Sequence, residues 1–171
     1  MIYIGADPGK SGGIAALGPD GMRVWKMPET EADIYQLFRE LHRPCITRGP
    51  PRIYAFIEHV SSRPRPGKPC PVCKRRPTEG TKSAFTFGQN YGGLRMALTA
   101  SGIPWEPVPP SSWLREMKLT KKPGESETQW KNRHKGMAQR LWPGVTVTHF
   151  VADAMLLAEV CRRSRQEGVR V

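Results

Sequence analysis

The sequence has few acidic residues, few cysteines and no long apolar stretch. Its 15 Asp and Glu residues stand against 27 Lys and Arg, a formal net charge of +12, which predicts a polyanion as the partner. Its 4 cysteines are too few and too unevenly spaced for a disulfide-stapled secreted domain. No apolar stretch approaches the roughly 18 residues that cross a bilayer, and no signal peptide is recognisable. We therefore expect a cytoplasmic or nucleoid-associated protein. Composition alone leaves DNA, RNA and an anionic membrane surface as alternatives for the polyanion.

The chain alternates strand and helix patterns without an internal repeat. At 171 residues it is long enough to form one domain with a substantial core. Apolar runs predict strands over residues 2–7, 14–17, 22–27, 53–57 and 103–108. Apolar residues at helical spacing predict helices over 31–42, 84–100, 125–142 and 147–165, and a short helix capped by Ser111 or Ser112. This order is typical of the α/β class.

A basic, proline-rich loop interrupts the alternation at about residues 61–82. It holds Cys70 and Cys73, whose spacing is that of half a zinc site, although a complete structural site needs four ligands. Three alternatives stay open for the pair: a structural Zn²⁺, a reducible disulfide or free thiols. The cations of the loop are predicted to contact nucleic-acid phosphates; they are Arg63, Arg65, Lys68, Lys74, Arg75, Arg76 and Lys82.

Acidic residues end two of the predicted core strands. The first strand stops at Asp7, before a Pro8-Gly9 turn, and the fourth stops at Glu58. On the last predicted helix, His149 and Asp153 are four residues apart and therefore project from one side. Carboxylates that converge repel each other, and their hard oxygens suit Mg²⁺ or Mn²⁺. Taken singly, these residues are also typical of a turn, a helix cap and a solvated histidine.

Several short motifs occur along the chain in a characteristic order. They are Asp7-Pro8-Gly9, Ile57-Glu58, the segment 83–88, Val108-Pro109 with Trp113, the segment 135–143 ending in Arg140-Leu141-Trp142-Pro143, and 149–153. Together they resemble RuvC-type Holliday junction resolvases, and the 135–143 segment is most similar to the phage-encoded branch. The resemblance implies an RNase H-like fold over residues 1–171, with a mixed five-stranded sheet flanked by helices. It also implies a homodimer that cuts four-way DNA junctions in the cytoplasm of a bacterial or phage-infected cell and has no membrane partner.

The same resemblance implies the catalytic residues. Asp7, Glu58 and Asp153 match the catalytic acids of the family, and His149 falls where the family has an acid or a histidine. These four residues are therefore the predicted ligands of two Mg²⁺ or Mn²⁺ ions, which would lie roughly 3.5 to 4 Å apart and share Asp7. Some family members space the last pair three residues apart rather than four, and either spacing places both residues on one face of a helix.

Further contacts with branched DNA are predicted outside the loop. They are Lys10, Phe85, Phe87, Lys118, Lys121, Lys122, Lys131, Arg133 and Lys135. The two phenylalanines either stack on an opened base or alternate between core and surface. The helix that starts near Ala84 is the predicted dimer interface, because Phe85, Tyr91, Leu94 and Leu98 offer more apolar surface than one sheet face needs.

Other functions fit parts of the pattern. A nuclease acting on RNA–DNA hybrids, flaps or other branched DNA would use the same acids. A non-catalytic, zinc-containing nucleic-acid-binding protein would explain the cysteine pair and leave the acids without a role. The first turn also resembles the phosphate loops of sugar kinases and actin-like ATPases, but those chains are much longer and carry a second phosphate loop.

Overall fold

A computed structural model describes residues 1–43, 52–59, 71–73 and 81–168, with side chains omitted at 81–83 and 167. Five strands and five helices lie within these residues. The strands are β1 Ile2–Asp7, β2 Gly13–Gly18, β3 Gly21–Lys26, β4 Ile53–Glu58 and β5 Trp105–Val108. The helices are α1 Glu31–Leu41, α2 Thr81–Ala100, α3 Pro110–Glu116, α4 Glu127–Leu141 and α5 Ala152–Glu167.

The strands form one mixed sheet in the order β3-β2-β1-β4-β5. β1, β2 and β3 pair antiparallel, whereas β4 and β5 lie parallel to β1 on its other side. The predicted mixed five-stranded sheet is therefore confirmed. β1 and β4 lie inside the sheet, and their sequences are apolar almost throughout, as is typical of central strands.

Each face of the sheet is covered by helices. α1 packs with α2 over one face, around a core that includes Ile4, Phe38 and Leu94. α5 packs on β1, β2 and β4 over the other face, and Phe56 and Trp113 lie in the core there. Within the described residues, no helix is both long and apolar enough to cross a membrane.

α5 touches the backbone of β1 directly. A Cβ atom added to Gly5 would lie 2.1 Å from the carbonyl oxygen of Ala154 and 2.3 Å from the backbone nitrogen of Ala158. No side chain larger than hydrogen fits between the two elements. This contact fixes the height of the first turn of α5 over the end of β1.

The start of α2 differs from the prediction. The helix begins at Thr81, so Lys82 belongs to α2 rather than to a loop extending to 82. Leu94 and Leu98 are fully buried in the core and are not available to a dimer interface. Phe85 and Met96, which are 67% and 66% exposed, are the large apolar side chains that α2 leaves uncovered.

α3 and α5 also begin at residues other than those predicted from the sequence. Pro109, not Ser111 or Ser112, is the N-cap of α3, and Pro110 follows at the first helical position. α5 begins at Ala152 rather than at 147, because the backbone nitrogens of Val151 and Ala152 both donate to the carbonyl of Thr148 in a turn. The segment before Ala152 is therefore not helical.

Candidate active site

Asp7 and Glu58 lie at the same edge of the sheet. Ala6 of β1 pairs with Ile57 of β4 in a parallel register, so the residues that follow them end neighbouring strands side by side. After Asp7 the chain turns through Gly9, whose φ of 116° is favourable for glycine alone, and returns along β2. The prediction that each of these acids ends a core strand is thus confirmed, and the parallel pairing of β1 with β4 places both strand ends at one edge.

Asp153 comes from the opposite layer. It is the second residue of α5, and the contact between α5 and Gly5 holds it over the end of β1. His149 lies in the preceding turn and is exposed, so the argument that four-residue helical spacing pairs it with Asp153 is wrong. The turn nevertheless brings both residues to one place, since both line the same pocket.

An open pocket of about 240 Å³ joins these residues. Its floor is the Pro8–Gly12 turn, and its walls are contributed by β1, α2, α4 and α5. The side chains that line it are Asp7, Lys10, Ser11, Phe87, Lys131, His149 and Asp153. Three of the predicted site residues and three of the predicted DNA contacts thus share one concave surface.

The electrostatics of the pocket centre on Asp7. Burial raises the pKa of Asp7 well above its ordinary value, the negative charges of Glu58 and Asp153 raise it further, and Lys131 opposes the shift. Two neighbouring carboxylates thus oppose the ionisation of Asp7, a charge strain on that residue. A cation placed among them would relieve that repulsion.

Two aromatic side chains make hydrogen bonds to carboxylate oxygens of Glu58 and Asp153. The Nε1 of Trp113 donates to Oε2 of Glu58 at 3.0 Å. The Nδ1 of His134 lies 2.6 Å from Oδ1 of Asp153. Sequence reasoning missed His134 entirely and used Trp113 only as a motif residue. The available signal was the i, i+4 stripe of Trp130, His134 and Ala138 on α4, which predicts a face turned toward the protein interior.

The donor set fits a divalent cation by its chemistry. The three acids provide carboxylate oxygens, which Mg²⁺ and Mn²⁺ prefer, and His149 adds an imidazole at the pocket wall. Among the residues that the structure describes, no group of three or more His, Cys, Asp or Glu side chains is close enough to hold a metal ion. The carboxylates would therefore have to draw together around a cation.

The fold is RuvC-like. The chain superimposes over 98% of its length on 97% of the Thermus thermophilus RuvC structure, with a TM-score of 0.56 and 16% sequence identity. It matches the structure described as T. thermophilus RuvC in complex with Holliday junction substrate over 98% of this chain and 96% of that one, with a TM-score of 0.58 and 16% identity. No protein-family model matches the chain, and no curated protein matches it. The similarity to RuvC confirms the predicted RNase H-like fold.

The predicted DNA contacts outside the pocket have different surroundings. Arg133 donates to Glu125 at 2.6 and 3.0 Å and to the Thr120 carbonyl at 2.8 Å, which fixes its guanidinium against the protein. Lys121 pairs with Glu127 at 2.5 Å. Lys118, with a φ of 55°, Lys122 and Phe85 are exposed, and Lys135 is half-buried. Lys118 and Lys122 are therefore exposed to solvent, whereas Arg133 and Lys121 are held in ion pairs with acidic side chains.

Part of the prediction lies outside the described residues. These positions are Arg63, Arg65, Lys68, Cys70, Lys74, Arg75 and Arg76, and for Lys82 only the backbone is described. Among the described residues Cys73 is exposed and has no disulfide partner, whereas Cys70 is not described. The three alternatives for the Cys70–Cys73 pair stay predictions.

Proposed function

We propose that this chain is a divalent-metal-dependent endonuclease that resolves four-way DNA junctions. The observation that carries the proposal is the open pocket lined by Asp7 of β1 and Asp153 of α5 together with Lys10 and Lys131, where the negative charges of Asp153 and of Glu58, at the end of β4, act on Asp7. It is supported by the similarity of the fold to RuvC, one structure of which holds a Holliday junction substrate. The proposal treats residues 1–171 as a single nuclease domain.

The side chains of the pocket have distinct roles in this proposal. Asp7, Glu58 and Asp153 would hold Mg²⁺ or Mn²⁺, which when bound supplies Lewis acidity at the phosphate and an activated water. Lys131 and Lys10 line the same pocket and neutralise the phosphates beside the cut. The exposed imidazole of His149 would ligate a cation or accept a proton from the attacking water at a ring nitrogen.

Two finer assignments belong to the same proposal. The 135–143 segment supports placement in the phage-encoded branch of RuvC-type resolvases. Paired incision of a four-way junction needs two active sites related by a twofold axis, so the working unit is a homodimer. The exposed apolar side chains of α2, Phe85 and Met96, support this helix as part of the interface.

The substrate is tested by comparing four DNA or hybrid substrates under one condition. A synthetic four-way junction, a linear duplex, a flap and an RNA–DNA hybrid are incubated with Mg²⁺ or Mn²⁺ at one salt concentration, and products are resolved by strand. We expect paired nicks in the junction and little cleavage of the others. Faster cleavage of the hybrid or the flap would overturn junction resolution in favour of that substrate.

The active site is tested by isosteric amides. Asp7→Asn, Glu58→Gln and Asp153→Asn should each abolish junction cleavage and leave junction binding intact, because each removes an anionic ligand without changing side-chain volume. Asp20→Asn, on the exposed β2–β3 turn, is the matched control and should cleave normally. Full activity in any of the three site variants would remove that residue from the site.

A further inference from the structure

His134 is a buried polar residue that the proposed chemistry does not use. It lies on α4 and is only 3% exposed. Its Nδ1 is 2.6 Å from Oδ1 of Asp153, which joins α4 to the first turn of α5. Within the described part of the chain, its Nε2 has no hydrogen-bond partner. The hydrogen bond that this ring makes is therefore directed at one of the acids of the site.

The imidazole is held in place by two indoles. Trp113 and Trp130 meet it edge to face, with ring centroids 5.8 and 4.8 Å away. Trp130 is itself anchored, because its Nε1 donates to the carbonyl of Leu119 at 2.8 Å. The ring of His134 thus has little freedom to turn away from Asp153. A rigid donor of this kind fixes the rotation of the carboxylate that it binds.

The same aromatic cluster reaches a second acid. Trp113, which packs against His134, donates its Nε1 hydrogen to Oε2 of Glu58 at 3.0 Å. An ionised carboxylate only accepts hydrogen bonds, so Nδ1 of His134 carries the hydrogen that Asp153 receives. Each bond uses one oxygen of its carboxylate, Oε2 of Glu58 and Oδ1 of Asp153. The cluster of Trp113, Trp130 and His134 therefore orients Asp153 and Glu58 together.

We propose that His134 is a positioning residue that sets the carboxylate of Asp153 for cation binding. The inference rests on the proposed function, in which Asp153 is a metal ligand. His134 contacts neither the cation nor the DNA in this arrangement. Its loss should therefore weaken metal binding and leave junction binding unchanged. Hydrogen-bonding partners of metal ligands commonly contribute about 10- to 100-fold to metal affinity or activity.

The test compares three substitutions that differ in where they place a donor. His134→Asn keeps an amide N–H near the position of Nδ1, His134→Gln moves that group toward the position of Nε2, and His134→Phe keeps an aromatic ring without a donor. Mn²⁺ affinity is measured without DNA by electron paramagnetic resonance, and junction binding is measured in Ca²⁺. Circular dichroism establishes that each variant is folded.

We expect Mn²⁺ affinity to fall about 10- to 100-fold in the Phe and Gln variants and to remain within a few-fold of wild type in the Asn variant. Cleavage by the Phe and Gln variants should recover when the Mn²⁺ concentration is raised. If the Phe variant does not fold, the comparison of Asn with Gln still decides the matter. Equal Mn²⁺ affinity in Asn and Gln variants, or a wild-type affinity in the Phe variant, would overturn the positioning role.

The outcomes separate this inference from the proposed function. If the wild type cuts junctions and its Mn²⁺ affinity is insensitive to His134, the positioning role fails and the nuclease stands. If the wild type binds Mn²⁺ but cuts no junction, the proposed function fails, and the dependence on His134 still decides the positioning role. A wild-type protein that binds no Mn²⁺ overturns both.

Discussion

Replacing Gly5 by alanine tests whether the contact between α5 and β1 sets the geometry of the site. The added Cβ would lie 2.1 Å from the carbonyl oxygen of Ala154, and ordinary contact begins at 3.4 Å, so α5 must move from β1 by about 1.3 Å. The opposing atoms belong to the helix backbone, so no side chain can rotate to make room. Overpacking of this kind costs roughly 1 to 3 kcal/mol.

The two expected readouts are thermal stability and cleavage. For a chain of this length, an overpacking cost of roughly 1 to 3 kcal/mol lowers Tm by roughly 2 to 12 °C. Because the displaced segment carries Asp153, cleavage of a four-way junction by the folded protein should fall about 100-fold, as expected for a displacement near 1 Å. Differential scanning calorimetry and single-turnover cleavage below the melting temperature measure the two effects separately.

Gly136→Ala provides the matched control. Gly136 lies within α4, and a Cβ added there meets nothing within 4 Å, so the substitution should leave cleavage unchanged and raise helix stability by up to about 1 kcal/mol. A Gly5→Ala protein with wild-type Tm would refute the close contact as a determinant of packing. A lowered Tm with undiminished cleavage would refute its role in placing Asp153.

Two further predictions concern pH and charge. Since burial and neighbouring carboxylates raise the pKa of Asp7, the stability associated with its protonated form is present below its ordinary pKa of 3.8 and is lost as pH rises through the raised value. Asp7→Asn should therefore raise Tm at pH 7 in metal-free buffer, and a calorimetric Tm equal to or below that of wild type would contradict the charge strain. Hydrogen bonds from Arg133 lower the pKa of Glu125 to about 2, so its stabilising effect is present above its ordinary pKa of 4.5 and is lost as pH falls toward 2. The Tm difference between wild type and Glu125→Gln should accordingly be constant above pH 5 and shrink below it, and a difference that persists at pH 2 would speak against this ion pair.

The strands and their terminal acids could be predicted because each acid ends an uninterrupted apolar run. In β1 and β4 the change from apolar residues to Asp7 or Glu58 coincides with the point where the strand leaves the sheet. Strands with this composition are central, and central parallel strands end at one edge. The position of each acid at a strand end could therefore be predicted from local sequence, whereas the parallel pairing of β1 with β4 required the tertiary structure.

The start of α5 could not be predicted because the apolar spacing continues through a turn. Val147 and Val151 are both buried, and their four-residue separation is typical of a helix. The backbone there instead forms a turn, in which the nitrogens of Val151 and Ala152 donate to the carbonyl of Thr148. Apolar periodicity reports which residues face the core and does not by itself report hydrogen bonding. His149 was consequently assigned to a helix that begins three residues later.

The pairing of His134 with Asp153 depends on how two helices pack. The amphipathic pattern of α4 indicates that His134 faces inward, but it does not indicate which element lies opposite. Only the packing of α4 against α5 brings the imidazole to the carboxylate. Long-range pairings of polar side chains of this kind require the tertiary structure.

The packing of α5 across β1 has a consequence for biosynthesis. Asp7 and Asp153 are separated by about 146 residues, so ribosomes working at roughly 5 to 20 residues per second deliver the second acid about 7 to 30 s after the first. During that interval the face of β1, β2 and β4 that α5 covers has no helix to bury it. The acid cluster is therefore assembled only after the helix that completes this core has been made.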